Sequence, residues 1–271
     1  LENRVKKLIL ADGSFSMYST NYHRVALDTL CMAEIWRLKL DLKPFSNTFY
    51  RHAALATTWL RSMIASDGGD VANIGANDGA RIFNLIDLDF WDFRSSVQLA
   101  SALFHKERAI FKKGSYDIPI QILGINHYEK YTPVPSTAVF SEGGYAVLKN
   151  DKASAFMRFP KYKFRPSHSD ALHVDLFVND TYLLRDGGTF SYACEQQIFN
   201  YFSGTSSHNT IQFDGRDQMV KLSRFLFGAW LESKASKSIQ VHKNKSCFSA
   251  SYKDYLGAIH ERTIELPVSY T

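Results

Sequence analysis

Up to Gly114 the hydrophobic positions recur at helical spacing, and beyond it they alternate. Leu1 to Ala11 read as the end of a helix, with Val5, Leu8 and Leu10 as apolar points, broken by Asp12-Gly13-Ser14. Val25, Leu27, Leu30, Cys31, Ile35 and Leu38 then form a helical stripe, which Thr20 or Asn21 can cap. After Pro44 a third helix is predicted from about Ser46 to Ala65, on Phe49, Ala53, Ala56, Leu60 and Met63. Asp67-Gly68-Gly69-Asp70 ends it, and a loop of small and amide residues, VANIGANDGARIFNL, follows. A fourth helix is predicted from about Phe93 to Lys106.

Pro119, Pro133 and Pro135 punctuate a connector, and from Thr137 short alternating runs follow between turn residues. They are AVFSEGGYAVLKN, ASAFMRFPKYKFR, ALHVDLFV, NTIQFDG, SIQVHKN, CFSASYKD and TIELPVSY, the pattern of an antiparallel β-sandwich. The clearest run puts Leu172, Val174, Leu176 and Val178 on one face and His173, Asp175 and Phe177 on the other. A strand with one face in a core is expected there, turning at Asn179-Asp180 into a second arm, Thr181 to Leu184. The expected organisation is α+β and multidomain: a helical part over 1–115, a connector over 116–136 and a β part over 137–271.

Composition narrows the classes. A hydrophobic content of 45% over 271 residues can bury a sizeable core. No apolar run approaches the ~20 residues of a membrane-spanning helix. Cys31, Cys194 and Cys247 are too few and too scattered for a disulfide framework or a cysteine metal site. A net charge of +5 suits a polyanionic substrate and equally an ordinary surface. The basic residues form no dense patch, so no nucleic-acid partner is expected. The start on Leu1 and the strand-like end at Ile264 to Tyr270 read as cuts within a longer protein, which leaves export unjudged.

Candidate chemistry gathers between Arg165 and Gln218. His168, Asp186 and His208 fall where strands are expected to begin and end, and two imidazoles with one carboxylate suit a divalent metal such as zinc. Each could instead simply close a turn. In Lys161 to Arg165, alternation sets Lys161, Lys163 and Arg165 on one face, either lining a groove for a polyanion or facing solvent. Asn77 and Asp78 sit between Gly75 and Gly79 in a tight loop, and Arg81 offers a planar fork that matches a carboxylate.

Three stretches, in this order, resemble one family. Pro-Ser-His-Ser-Asp-Ala-Leu, Leu-Arg-Asp-Gly-Gly-Thr-Phe-Ser-Tyr and Tyr-Phe-Ser-Gly-Thr-x-x-His-Asn-Thr-x-x-x-Asp-Gly-Arg-Asp-Gln are similar to the heparinase II/III polysaccharide lyases. The resemblance implies the C-terminal part of an α/α toroid followed by a large antiparallel β-sandwich, in a periplasmic or secreted protein. It implies β-elimination on a uronic-acid polysaccharide, and a structural zinc held by His168, Asp186 and His208. The Asn21-Tyr22-His23 run, preceded by Asp12-Gly13, resembles the family's catalytic Asn and His.

On that reading Asn21 neutralises the uronate carboxylate at a helix N-terminus, His23 takes the C5 proton, and Tyr22 or Tyr201 protonates the leaving oxygen. Asn77, Arg81 and Arg165 are the expected substrate contacts. Two features depart from the family pattern. No tyrosine lies between Tyr50 and Tyr116, and Pro166 stands where many members have a catalytic His. The alternatives are therefore a glycan-binding member without catalysis, or a hydrolase pairing Asp78 with Asp170 or Asp175.

Overall fold

The computed structural model describes residues 1–236, 239–242 and 244–268. Helices occupy the first part: α1 Glu2–Leu8, α2 Thr20–Lys39, α3 Asn47–Met63 and α4 Arg94–Phe104, with a short α5 Ile118–Ile122 inside the connector. The cap of α2 is Ser19 rather than Thr20 or Asn21, because its hydroxyl accepts from the Tyr22 N–H at 3.0 Å. Ser46 caps α3 in the same way.

Five strands then form an antiparallel meander: β1 Thr137–Phe140, β2 Tyr145–Lys149, β3 Ala153–Arg158, β4 His173–Val178 and β5 Thr181–Leu184. After α6 Gln196–Ser203 comes a small hairpin, β6 Val220–Ser223 with β7 Leu226–Gly228. A four-stranded sheet follows, in which β10 Lys245–Lys253 pairs with β11 Ile259–Pro267, β8 Ser233–Ser236 and β9 Gln240–His242. Two predicted strands are absent. Residues 161–165 and 209–215 are irregular, and α6 and the β6–β7 hairpin were not anticipated. Of the predicted runs at 238–244 and 263–270, Ser238, Lys243, Ser269 and Tyr270 lie outside the described residues.

Sheet alternation explains the layering. On β2, Tyr145 and Val147 enter one core with Phe156, Phe140 and the helices, whereas Ala146 and Leu148 enter a second core with Met157, Val174, Phe248 and Tyr252. The five-stranded sheet therefore lies between the helices and the four-stranded sheet, with β2 and β3 buried on both faces and the edge strand β5 largely exposed. This overturns the expectation of a single core face on β4. His173 and Asp175 turn toward the helical side and are fully buried, while Leu176 and Val178 on the apolar face keep some exposure.

Two tight contacts lock the helices to this sheet. Asp12 Oδ2 accepts from the Glu142 and Gly143 N–H groups at 2.7 and 3.0 Å, so the Asp-Gly pair ties the α1–α2 loop to the β1–β2 turn. Gly13 sits at φ +91°, where a Cβ would meet Leu55 O at 2.2 Å, so only glycine fits. Arg158 is fully buried, boxed by the rings of Tyr18, Tyr145 and Tyr162 and donating to the Gly143, Gly144 and Phe159 carbonyls.

Candidate active site and metal centre

The loop after α3 is stitched between the start of α2 and the first sheet. Thr20 N–H donates to Ile74 O and its hydroxyl to Ala72 O, while Tyr182 OH donates to Val71 O. Asn73 N–H donates to Asp175 Oδ2 at 3.2 Å, and Asn77 N–H to Thr189 Oγ1 at 3.0 Å. Gly75, at φ +78°, lets the loop pass against Tyr18 O, which a Cβ would approach to 2.0 Å. Between this loop and the segment after β5 a cleft of about 560 Å³ opens, lined by Asn73, Asn77, Asp78, Trp91, Phe190 and Tyr192 among others.

Beside the cleft the Tyr22 and Tyr192 hydroxyls lie 3.0 Å apart. Burial raises the Tyr22 phenol well above its ordinary range, and Tyr192 and then Asp78 push it the same way. Burial also raises Tyr192, while its bond with Tyr22 and the charge of Arg165 pull it down. Arg165, exposed, is thus near Tyr192 although its segment is not a strand. The Lys163 and Phe164 N–H groups donate to Tyr18 OH at 2.6 and 3.1 Å, which takes them out of any ladder and pins the segment beside α2. Tyr192 is the residue the sequence reading missed. It ends the Gly-Gly-Thr-Phe-Ser-Tyr motif, and nothing local marks it out from other tyrosines.

Behind the cleft, His168, Asp186 and His208 converge, with one ligand atom from each within 4.8 Å of the others. Their segments are held together by the rest of the motif. Gln218 accepts from Ala171 N–H and donates to Ala171 O, and Asp217 accepts from Thr205 N–H. His208 Nδ1 lies 3.0 Å from Asp186 Oδ2, and His173 Nε2 is 3.0 Å from Asp175 and 3.4 Å from Asp186. Burial and the neighbouring His208 lower the His168 imidazole to about 4, which keeps it neutral as a ligand must be. Burial alone would raise Asp186, but His208 and His173 outweigh it and hold the carboxyl well below its usual range. His168 Nδ1 and His208 Nε2 are buried with no hydrogen-bond partner among the described residues. Two orphaned imidazole nitrogens beside one carboxylate are a donor set that fits a metal ion.

Residues 132–270 match the family described as heparinase II/III-like, C-terminal. The chain belongs to that family. In fold it is similar to a mutant of the heparan sulfate lyase HepC from Pedobacter heparinus, at 17% identity and TM-score 0.69, covering 97% of this chain and 38% of that one. A heparinase III structure aligns at 15% identity and TM-score 0.67, covering 97% and 40%. The heparinase III BT4657 gene product aligns at 20% identity and TM-score 0.68, covering 97% and 38%. The chain thus spans about two fifths of the length of these structures. No curated protein sequence matches it. Among the described residues no helix is long and apolar enough to cross a membrane.

The remaining expected site residues of this heparinase II/III-like chain scatter. His23 is 1% exposed, stacked on Trp59 at 4.3 Å, and its Nε2–H donates to Ala56 O at 2.8 Å. Burial lowers it to about 4, so it is a neutral core imidazole out of a substrate's reach. In this placement it serves packing and does not line the cleft. Asn21 is buried in the first turn of α2, its Oδ1 accepting from Arg24 and its Nδ2 without a partner among the described residues. Arg81 turns away from the cleft, donating to Leu88 O beside Asp28 and Arg24. Tyr201, 53% exposed on α6, lies outside the cleft lining and packs on Phe202. The carboxylate pair of the hydrolase alternative does not form either. Asp78 is exposed at the cleft, but Asp170 is buried under Tyr162 OH and Asp175 is committed to His173 and Asn73.

Proposed function

We propose that the protein is a polysaccharide lyase that cleaves a uronic-acid-containing acidic glycan by β-elimination. On this reading residues 1–115 are the last part of an α/α toroid, 116–136 a connector and 137–271 the β-sandwich domain. The carrying observation is the Tyr22–Tyr192 hydroxyl pair beside the cleft, 3.0 Å apart, in a chain of this family. Arg165 and Asn77 bind the uronate carboxylate. That neutralisation makes the C5 proton removable.

Tyr192, as phenolate, takes the C5 proton. The electron pair forms the C4–C5 double bond, the C4–O bond breaks, and Tyr22 gives its proton to the departing oxygen. Transfer of the captured proton from Tyr192 to Tyr22 through their shared hydrogen bond resets the pair. The assignment follows position, since Tyr192 lines the cleft and Tyr22 stands behind its hydroxyl. His168, Asp186 and His208 would hold one divalent cation, zinc by donor type, which when bound cross-links the segments behind the cleft.

A second reading, a glycan-binding member without catalysis, is favoured by one observation: no imidazole lines the cleft among the described residues. Ultraviolet absorbance separates the two. Acidic polysaccharides incubated with the protein should yield the conjugated C4–C5 double bond. Binding of a uronate glycan without any rise in absorbance would replace the lyase by the binding protein.

A further inference from the structure

A second cavity, of about 550 Å³, shares no lining residue with the cleft. It lies at the other end of β4, where Phe177, Asn179 and Asp180 border it, whereas His173 at the start of that strand touches Asp186. Five cations line it, and two of them, Lys149 and Arg61, lack a close carboxylate partner among the described residues. Lys149 ends β2 on the side of Tyr145 and Val147, so strand alternation carries its amine toward the helical core. Its Nζ donates to Ile64 O at 2.6 Å and sits 5.7 Å from the Phe156 ring, and it has no carboxylate partner among the described residues. Desolvation, followed by the positive charge of Arg61, lowers this amine to about 7.

Arg61, 7% exposed, ends α3. Its Nη2 donates to Thr132 O at 2.6 Å, and its Nε has no acceptor among the described residues. Its only carboxylate among the described residues is Glu107 at 3.7 Å, which Lys130 shares at the same distance. Of the other lining cations, Arg94 is paired with Asp92 and Lys112 with Asp67, and Lys152 stands at the exposed rim. Asp151 and Asp180 are exposed. Lys149 is half-buried with no carboxylate partner among the described residues, and Arg61 is buried with Glu107 only at 3.7 Å, an arrangement that leaves positive charge under-compensated. An amine with two uncommitted N–H groups beside a guanidinium suits an oxygen-bearing anion. The volume suits a molecule of one or two sugar rings.

We propose that this cavity binds an oxyanion, the carboxylate or sulfate of a small acidic sugar, with Lys149 and Arg61 as its counter-charges. The anion rests on the geometry of the cavity, and only its attachment to a sugar rests on the glycan reading above. Calorimetric titration of the whole chain with sodium sulfate, glucuronate and glucose, at ionic strength held constant with chloride, tests it. Sulfate and glucuronate should bind and glucose should not, and Lys149→Met should weaken both anions by at least ~10-fold through loss of a charge-assisted hydrogen bond. Glucuronate binding tighter than sulfate supports the sugar, whereas sulfate binding as tightly removes the sugar from the proposal. Heat no different from chloride for either anion overturns the site.

Because the variant could alter folding, the unmodified chain supplies a second measurement. Acetylation of Lys149, followed by mass spectrometry, should slow at least ~5-fold under saturating anion, because a bound counter-ion raises the amine pKa and covers it. An unchanged rate also overturns the site. Tyr22→Phe should bind the same anions unchanged, so a failure of the lyase reading is visible separately.

Discussion

His23 and His168 are nearly identical when taken one at a time. Both are buried, both are lowered to about 4 chiefly by desolvation, and each has a ring nitrogen with no partner among the described residues. Their surroundings differ. His23 lies against Trp59 and Phe15, with a backbone carbonyl holding its other nitrogen. His168 lies 5.1 Å from the His208 ring, and both converge with Asp186. Neutral imidazole among aromatic rings packs, whereas two imidazoles around a carboxylate are a donor set that could hold a cation. Burial and a shifted pKa do not distinguish the two cases, and convergence of donors does.

Substitutions can break or sharpen that contrast. The largest effect is expected for Asp186→Asn. It should abolish divalent-metal binding in elemental analysis and, by leaving a buried cluster half-satisfied, cost about 3–5 kcal/mol in denaturant unfolding. Purified unmodified protein with no divalent metal would erase the distinction between the two histidine environments.

Next comes the hydroxyl pair that replaces His23 in the proposed chemistry. Tyr22→Phe should slow elimination by about two to four orders of magnitude with metal content unchanged. Because both phenols are raised, the wild-type rate should climb with pH above neutrality as the Tyr192 phenolate forms. A rate within twofold of wild type in that variant would return the search to other groups.

His23→Ala should act on stability, at about 2–4 kcal/mol, through a cavity against Trp59 and the loss of the Ala56 bond. The pH profile gives a sharper test. The unfolded imidazole takes a proton near 6.5 and the folded one only near 4, so between these values the unfolded chain binds more protons. Wild-type stability should therefore fall as pH drops from 6.5 to 4, and the variant should lose that part of the slope. A catalytic His23 would instead cut turnover with the unfolding midpoint unmoved.

The smallest effect is expected for Tyr201→Ala, since that side chain is half exposed and outside the cleft lining. Elimination within about twofold and stability within about 0.5 kcal/mol of wild type are expected. A larger loss of rate would extend the groove over α6.

Much of this was readable from the chain. Periodicity placed α2, α3 and α4 within a few residues, and alternation located β2, β3, β4 and the β4–β5 turn, because each depends on contacts close in sequence. The order of the three motifs pointed to the family and to His168, Asp186 and His208. Segments 161–165 and 209–215 failed as strands because side chains outside them claim their polar groups. Tyr18 OH takes two N–H groups of the first, and Gln218 claims Thr210 and Ile211 in the second.

Packing alone decided which polar residues face the cleft. Asn21, Tyr22 and His23 are neighbours in sequence, but successive helical residues point about 100° apart. One is buried against Arg24, one reaches the cleft edge and one enters the aromatic core. Likewise nothing local ties Tyr22 to Tyr192, or Lys149 to Arg61. Those meetings exist only because the helices close over the first sheet, where removal of water makes each unpaired charge and each shared proton count.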